Sequence, residues 1–575
     1  MKGVAFAGCR GWLHEGASAR GVLICPAWGF EELCSRSAMA WLAERLAAAG
    51  ASVLRFDFRG TADSCDDFEE SGRLDAWRAD VRAAAAFLRE ACGATDLTLI
   101  GFRTGASLAA ELARSLEAER LVLLASVVSG KAFLRELRAF ARIARQGGAG
   151  GPWTEGVDAG GFELSRENQR EIAAIDLSAL RERPCQSVLI LEQANGALEP
   201  FASCLKDLSI EPQIAPFVGY EQMMCDPTAS QAPIEALEMV VRWIGETPPR
   251  ASSPSLPARV GRALEDGAWI EEPLALGAAL TAIHTRPKTR SSRCAALFLN
   301  AGAIHHVGWA RMNVMMARDL AALGVASVRL DGGGIGDSAP FGLRTGLFAP
   351  ARRAEAALAI DWLCSQGIEE VLVVGGCSGA HHALHLACED RRVGAVVLIN
   401  LVCVSFGPTH AMQLRAWQAS KSAEMQARGL SAMEEGRTSL ATMAAIALPL
   451  ARRFAKSSFG ALKTLSGLAA MGLGKANVFE QKLRELAERD VSVSLFYSEG
   501  DAALQELARY MGPGGERLAD YPNVEKLIIP DADHNLTPPH AREALARLVE
   551  RVACERAERL ADRAPEEQAQ IARAG

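Results

Sequence analysis

Short runs of consecutive apolar residues recur along the chain, each followed by a small-residue loop and then by an alanine-rich stretch of helical pattern. GVLIC, SVLRF and LTLIGF in the first half, and CAALFL, ASVRL and VLVVGG in the second, show no apolar/polar alternation. They read as strands buried on both faces. Strands that alternate with helices imply an α/β fold built on mostly parallel sheets flanked by helices.

The pattern occurs twice. AERLAAAGASVLRFDFRGTADS, from Ala43, parallels ARDLAALGVASVRLDGGGIGDS, from Ala317, and sets Asp57 against Asp331. LTLIGFRTGASLA parallels VLVVGGCSGAHHA at the same offset and sets Arg103 against Cys377. Two separate blocks sharing one offset indicate a duplicated domain, because a solenoid would repeat at a far shorter period. The Pro- and Ser-rich stretch GETPPRASSPSLPARV reads as the linker. The expected domains are residues 1–250 and 258–575, with the first packed on the second. Each carries a cap inserted between its later strands, from Ser129 to about Pro184 and, helical in pattern, over about 405–489. Insertions at the carboxyl ends of sheet strands sit over the site region of such folds.

Composition narrows the function classes. At 575 residues the chain exceeds one ordinary core. A net charge of −7 gives no basic excess, so nucleic acid is not an expected partner. The 14 cysteines form no C-x-x-C pair, and no Cys/His spacing suits a metal, so no metal or other cofactor is expected. Cysteines in a chain of this size read as reduced thiols, mostly buried, of a cytoplasmic protein. The first residues lack the apolar core of a signal peptide, and the longest apolar stretch, from Val393, is too short to span a membrane.

The chemistry concentrates in the second half. VLVVGGCSGA is a strand, a sharp turn and a helix start, the context in which a G-x-?-x-G box presents a nucleophile. The central residue is Cys377, whereas a shifted register would centre Ser378. The shared offset, which aligns both box glycines with Gly101 and Gly105, favours Cys377. The Ser378 N–H would open the helix and face a developing oxyanion. A second donor is expected from the loop LNAGAIHH, at Gly302 or Ala303. A thiol nucleophile needs a base, and the base an orienting group. Asp501 follows the strand VSVSLFYS, and His534 follows VEKLIIP. Nucleophile, acid, histidine, each just past a strand, is the α/β-hydrolase order. Cys377 is therefore the expected nucleophile, His534 the general base and acid, and Asp501 the group fixing the imidazole. Asp531 and Asp533 are weaker candidates for the acid, since neither closes a separate strand.

Five histidines, His305, His306, His381, His382 and His385, are candidates for the same mouth. His305 and His306 follow the oxyanion loop and are possible substrate contacts. His381 and His385 share a helix face, which suits packing better than metal binding.

The first half lacks this chemistry. Its box, GFRTG, holds Arg103, which stays protonated and cannot attack a carbonyl. The acid position offers Ala194 and Asn195, and the only histidine before the linker is His14. Arg103 at a helix N-terminus suggests an anion site. Its other reading is a structural arginine bridging carboxylates such as Asp57 or Asp63.

PAWGFEELCSRS and GFRTGASLA, with NAGAIHHVGWARMNV, RLDGGGIGDS and GGCSGA, resemble the paired α/β hydrolases encoded with bacterial exosortase and exopolysaccharide systems. The resemblance covers most of both domains and leaves out the caps and the C-terminal tail. It implies two tandem α/β-hydrolase domains and a catalytic layout, without a substrate. The G-x-C-x-G box alone is also similar to that of dienelactone hydrolases, polyhydroxyalkanoate synthases and the aminoacyl shuttles of peptide synthetase pathways.

A cysteine that attacks a thioester makes another thioester, so the acyl group stays activated for a further acceptor. The expected activity is therefore acyl transfer or hydrolysis through an acyl-cysteine, on an ester or thioester, with carrier-protein or coenzyme A thioesters among the candidate donors. A small-ester or lactone hydrolase and a non-catalytic scaffold in a biosynthetic complex are the alternatives. The apolar cap segment from Leu440, with Arg452, Arg453, Lys456 and Lys463 interspersed, suits an acyl tunnel with a basic rim or plain packing on the core.

Overall fold

The computed structural model describes the whole chain except residues 66–71, 146–155, 194–197, 247–260, 290, 341–345, 408–409, 413–476 and 575. Most of the second cap, with its four basic residues, and the positions Ala194 and Asn195 thus lie outside the described residues.

The first sheet comprises β1 (Lys2–Phe6), β2 (Cys9–His14), β3 (Arg20–Cys25), β4 (Ser52–Phe56), β5 (Asp96–Phe102), β6 (Arg120–Leu124), β9 (Ser187–Glu192) and β10 (Gln213–Pro216). A hairpin of β7 (Gly156–Asp158) and β8 (Glu163–Ser165) belongs to the first cap insertion. The spatial order is β1-β2-β4-β3-β5-β6-β9-β10, and every pairing after β2–β4 is parallel.

The second sheet repeats this plan. Its strands are β11 (Leu264–Asp266), β12 (Trp269–Leu276), β13 (Leu280–Pro287), β14 (Cys294–Leu299), β15 (Ala326–Asp331), β16 (Glu370–Gly376), β17 (Val393–Ile399), β18 (Ser492–Ser498) and β19 (Val524–Ile529). Apart from the added edge strand β11, the order β12-β13-β15-β14-β16-β17-β18-β19 matches the first sheet strand for strand. The antiparallel strands that open each sheet are the part the apolar runs did not announce. β12 alternates buried and partly exposed positions, as expected for a half-covered edge.

The unbroken apolar runs now have a physical cause. Along β14, Ala295, Leu297 and Leu299 join one core, and Ala296 and Phe298 join another on the opposite face. The first core is closed by helices Ala351–Ser365, Ser378–Glu389 and Val478–Glu488. The second is closed by Met312–Ala322 and the long C-terminal helix from Pro539. With β15 on one side of β14 and β16 on the other, successive connections leave β14 in opposite directions. The carboxyl ends of β14 and β16 thus flank a topological switch point, where open α/β sheets hold their ligands.

The two halves are joined through a buried ionic network with approximate two-fold symmetry. Arg55 donates to Asp337 (2.8 Å), and its sequence counterpart Arg329 donates to Asp63 (2.6 Å), the counterpart of Asp337. Arg36 spans Asp57 (2.7 Å) and Asp337 (2.8 Å). His306 spans Asp331 (2.7 Å) and Asp63 (2.6 Å) in the reciprocal way. The turns that present the aspartates are also equal. Ser64 Oγ donates to Asp57 O and Ser338 Oγ to Asp331 O.

Candidate functional site

β16 ends in glycine because the turn leaves no room for a side chain. A Cβ on Gly375 would stand 2.4 Å from the Gly379 backbone, and one on Gly379 would stand 2.6 Å from the Asn300 carbonyl oxygen. Between them Cys377 adopts φ 53°, ψ −113°, a region that ordinary residues avoid. The strain lifts the side chain out of the strand at the start of helix Ser378–Glu389, where it is partly exposed. Arg103, in the corresponding turn, has φ 52°, ψ −117°. The same strained elbow thus stands in both halves, with arginine at its centre in the first.

Asp501 lies just past β18. Its Oδ1 accepts the Ala503 N–H (2.8 Å), and its Oδ2 lies 2.9 Å from His534 Nδ1. The Cys377 sulfur lies near enough to the His534 ring to act on its charge. Desolvation works against a charged ring. The hydrogen bond and charge of Asp501, with the nearby Cys377 sulfur, outweigh it and hold His534 well above the ordinary histidine value. Burial similarly opposes the Asp501 charge, yet the bond and charge of His534 hold its carboxyl below its usual range. The structure therefore brings together Cys377, His534 and Asp501. Asp533 instead caps its own loop, accepting Thr537 N–H (2.8 Å) and Thr537 Oγ (2.6 Å), and Asp531 is an exposed turn residue at φ 51°.

Two residues absent from the sequence reading support the histidine. Asn400, at φ 44° just past β17, donates to His534 O (3.1 Å) and to Ser498 Oγ (3.1 Å). Ser498 Oγ in turn donates to Asp533 O (2.6 Å). A polar residue directly after a buried strand at the sheet's carboxyl edge was the available signal.

At the oxyanion side, Ser378 N–H opens its helix and has no hydrogen-bond partner among the described residues. The loop donors differ from expectation in one respect. Gly302 N–H donates to Ser378 Oγ (3.1 Å), and Ala303 N–H donates to Thr228 Oγ1 (3.3 Å), a side chain of the first half. Both loop N–H groups are thus already engaged, Gly302 within its own half and Ala303 across the seam.

The geometry does not give His305 and His306 a place in the substrate mouth. Both are buried, His305 against Glu32 (3.1 Å) and His306 between two aspartates. Against its desolvation, the charges of Asp63 and Asp331 raise His306 to about 10, so it acts as a structural cation. His381, His382 and His385 donate to or face backbone carbonyls of Cys403, Leu347 and Val404. Burial lowers all three, His381 to about 3 and His382 to about 4. Arg103 is not open to an anion either. It is paired with Glu31 and Glu136, both at 2.6 Å, instead of Asp57 or Asp63. Among the described residues, two groups bring three possible metal ligands within 4.8 Å, Cys403–His410–Glu506 and His306–Asp331–Asp337. The second is occupied by the ionic network, and in the first Glu506 accepts the Val404 N–H.

Residues 18–194 match the family model described as serine aminopeptidase, S33. Both halves have the α/β-hydrolase fold. The match falls on the half without the Cys–His–Asp group. No curated protein matches the sequence. Among solved structures, a lidless α/β serine hydrolase of Xanthomonas campestris is 17% identical over 43% of this chain and 95% of its own, at a TM-score of 0.28. Est1E of Butyrivibrio proteoclasticus, bound to ferulic acid, is 16% identical over 43% and 97%, at 0.31. Mouse α/β hydrolase domain-containing protein 10 is 15% identical over 42% and 97%, at 0.30. Among the described residues, no helix is long and apolar enough to cross a membrane.

Proposed function

We propose that the second half is a cysteine-nucleophile enzyme acting on acyl esters or thioesters through a covalent acyl-Cys377. The observation that carries this reading is the single imidazole of His534, hydrogen-bonded to Asp501 and near enough to the Cys377 thiol for the sulfur to favour its charged form. An imidazole so held takes the thiol proton and becomes the cation that Asp501 stabilises. The sulfur adds to the acyl carbon, and the carbonyl oxygen becomes an oxyanion. Ser378 N–H meets it, joined by Gly302 N–H once the Ser378 hydroxyl turns aside. The leaving alcohol or thiol departs with the proton from His534. An acceptor then gives its proton to His534, adds to the acyl-cysteine and releases the thiol.

The choice of sulfur favours transfer. Thioester to thioester is nearly isoenergetic, so the acyl group keeps its reactivity for an amine, alcohol or second thiol, and carrier-protein or coenzyme A thioesters are suitable donors. Water as acceptor would give hydrolysis, with a cap controlling its access. The first half, with arginine at its elbow, serves as a non-catalytic partner.

The test is intact-mass spectrometry after incubation with a panel of acyl thioesters and activated esters. An acyl adduct on Cys377, absent from Cys377→Ala, is expected. No adduct and no thiol reactivity across the panel would instead support a scaffold.

A further inference from the structure

The loop that carries His534 in the second half runs between its last strand and last helix. The loop in the same place in the first half, between β10 and helix Ile234–Gly245, contains no histidine. It contains Thr228, which crosses to the other half. Thr228 Oγ1 accepts the Ala303 N–H (3.3 Å), and a Cβ on Gly302 would meet that oxygen at 2.3 Å. The position equivalent to Gly302 in the first half is Trp28, so only the second half leaves room for this approach.

Thr228 is firmly mounted. Its N–H donates to Asp226 Oδ1 (2.8 Å), Ser230 N–H donates to Asp226 O (2.6 Å), and Ser230 Oγ donates to Cys34 O (3.0 Å). The loop it touches is laced to the first half at two more points, His305 to Glu32 and His306 to Asp63. From its own half the loop is held by Asn300, which donates to Ile304 O (3.0 Å), and by Ser378 through Gly302.

We propose that Thr228 is a positioning residue for the oxyanion loop of the opposite half, so that the first half completes the active site of the second. By taking the Ala303 N–H it anchors the peptide between Gly302 and Ala303, and with it the Gly302 Cα, next to the preceding peptide whose Gly302 N–H donates to Ser378 Oγ (3.1 Å). Of the two loop N–H groups, Gly302 N–H is then the one that turns to the oxyanion when the Ser378 hydroxyl releases it, on a Cα that Thr228 holds in place. Small misplacements of such a donor are costly in rate. This inference rests on the acyl-Cys377 reading.

The test compares two reactions at one sulfur. Acylation by p-nitrophenyl acetate develops an oxyanion, whereas alkylation by iodoacetamide develops none. Thr228→Val keeps the shape and removes the hydroxyl. It is expected to slow acylation about tenfold or more, to leave alkylation and its pH profile unchanged, and to be rescued by Thr228→Ser. If the valine variant folds poorly, serine against Thr228→Ala makes the same comparison. Acylation at the wild-type rate or faster overturns the inference and spares the acyl-enzyme reading. So does an equal fall in both reactions, which marks general damage. A wild-type protein that alkylates but never acylates overturns both.

Discussion

At Cys377 the deciding neighbour is a ring whose charge is set by others. His534 is held above its ordinary value by Asp501 and the sulfur, against desolvation. A raised folded-state value means that this pair adds stability below the unfolded histidine value and loses it as pH rises through the folded one. Asp501, held low, adds stability above the usual carboxylate range and loses it as pH falls through its lowered value. Asp501→Asn removes one support of the ring. The pH at which Cys377 alkylation by iodoacetamide changes with the ring's protonation is expected to move down toward the ordinary histidine value. Acylation is expected to slow at least about a hundredfold. An unchanged alkylation profile would count against the pairing. Arg103 yields a contrasting prediction. Arg103→Met leaves Glu31 buried without its cation, at a cost of about 3 kcal/mol in denaturant unfolding, while KM for an acyl substrate is expected to stay the same.

At the scale of the element, the elbow is a backbone device. Gly375→Ala puts a methyl against main chain that cannot retreat, so a loss of about 2 kcal/mol is expected in unfolding measurements, together with loss of acylation. This element was legible in the sequence because strand, box and helix are local, and because its duplicate fixed the register. β3, β4 and β5 begin at the same offset from β14, β15 and β16, as the repeat required. The approach of Asp501 and His534 was also readable, through their order past successive strands. Asn400, Ser498 and Thr228 were not, since each acts across a gap between loops that no local pattern encodes. Adjacent loop histidines looked like substrate contacts for the same reason. The sequence placed His305 and His306 beside the site, whereas burial against the other half decided their role.

At the scale of the whole molecule, the ionic network welds two sheets that would each otherwise expose buried-type charges. Breaking one member leaves its partners desolvated and unmatched. Arg329→Met and Arg55→Met are each expected to cost roughly 3–5 kcal/mol in chemical denaturation. His306, with a value of about 10 between two aspartates, adds stability that is full below its unfolded value and declines as pH climbs toward 10. His306→Gln is expected to flatten that alkaline dependence while lowering stability at neutral pH. A wild-type slope retained in the variant would argue against the buried cation.

The reciprocity of Arg55–Asp337 and Arg329–Asp63 has a consequence for how the chain arose. A seam in which each copy offers the same patch to the other is the signature of a two-fold dimer. Such a seam forms most simply when both patches are still identical. A self-associating single-domain ancestor, later joined into one chain, accounts for such a seam. In a joined chain one copy can change the residue at its elbow, as Arg103 stands where Cys377 does, and still keep the seam.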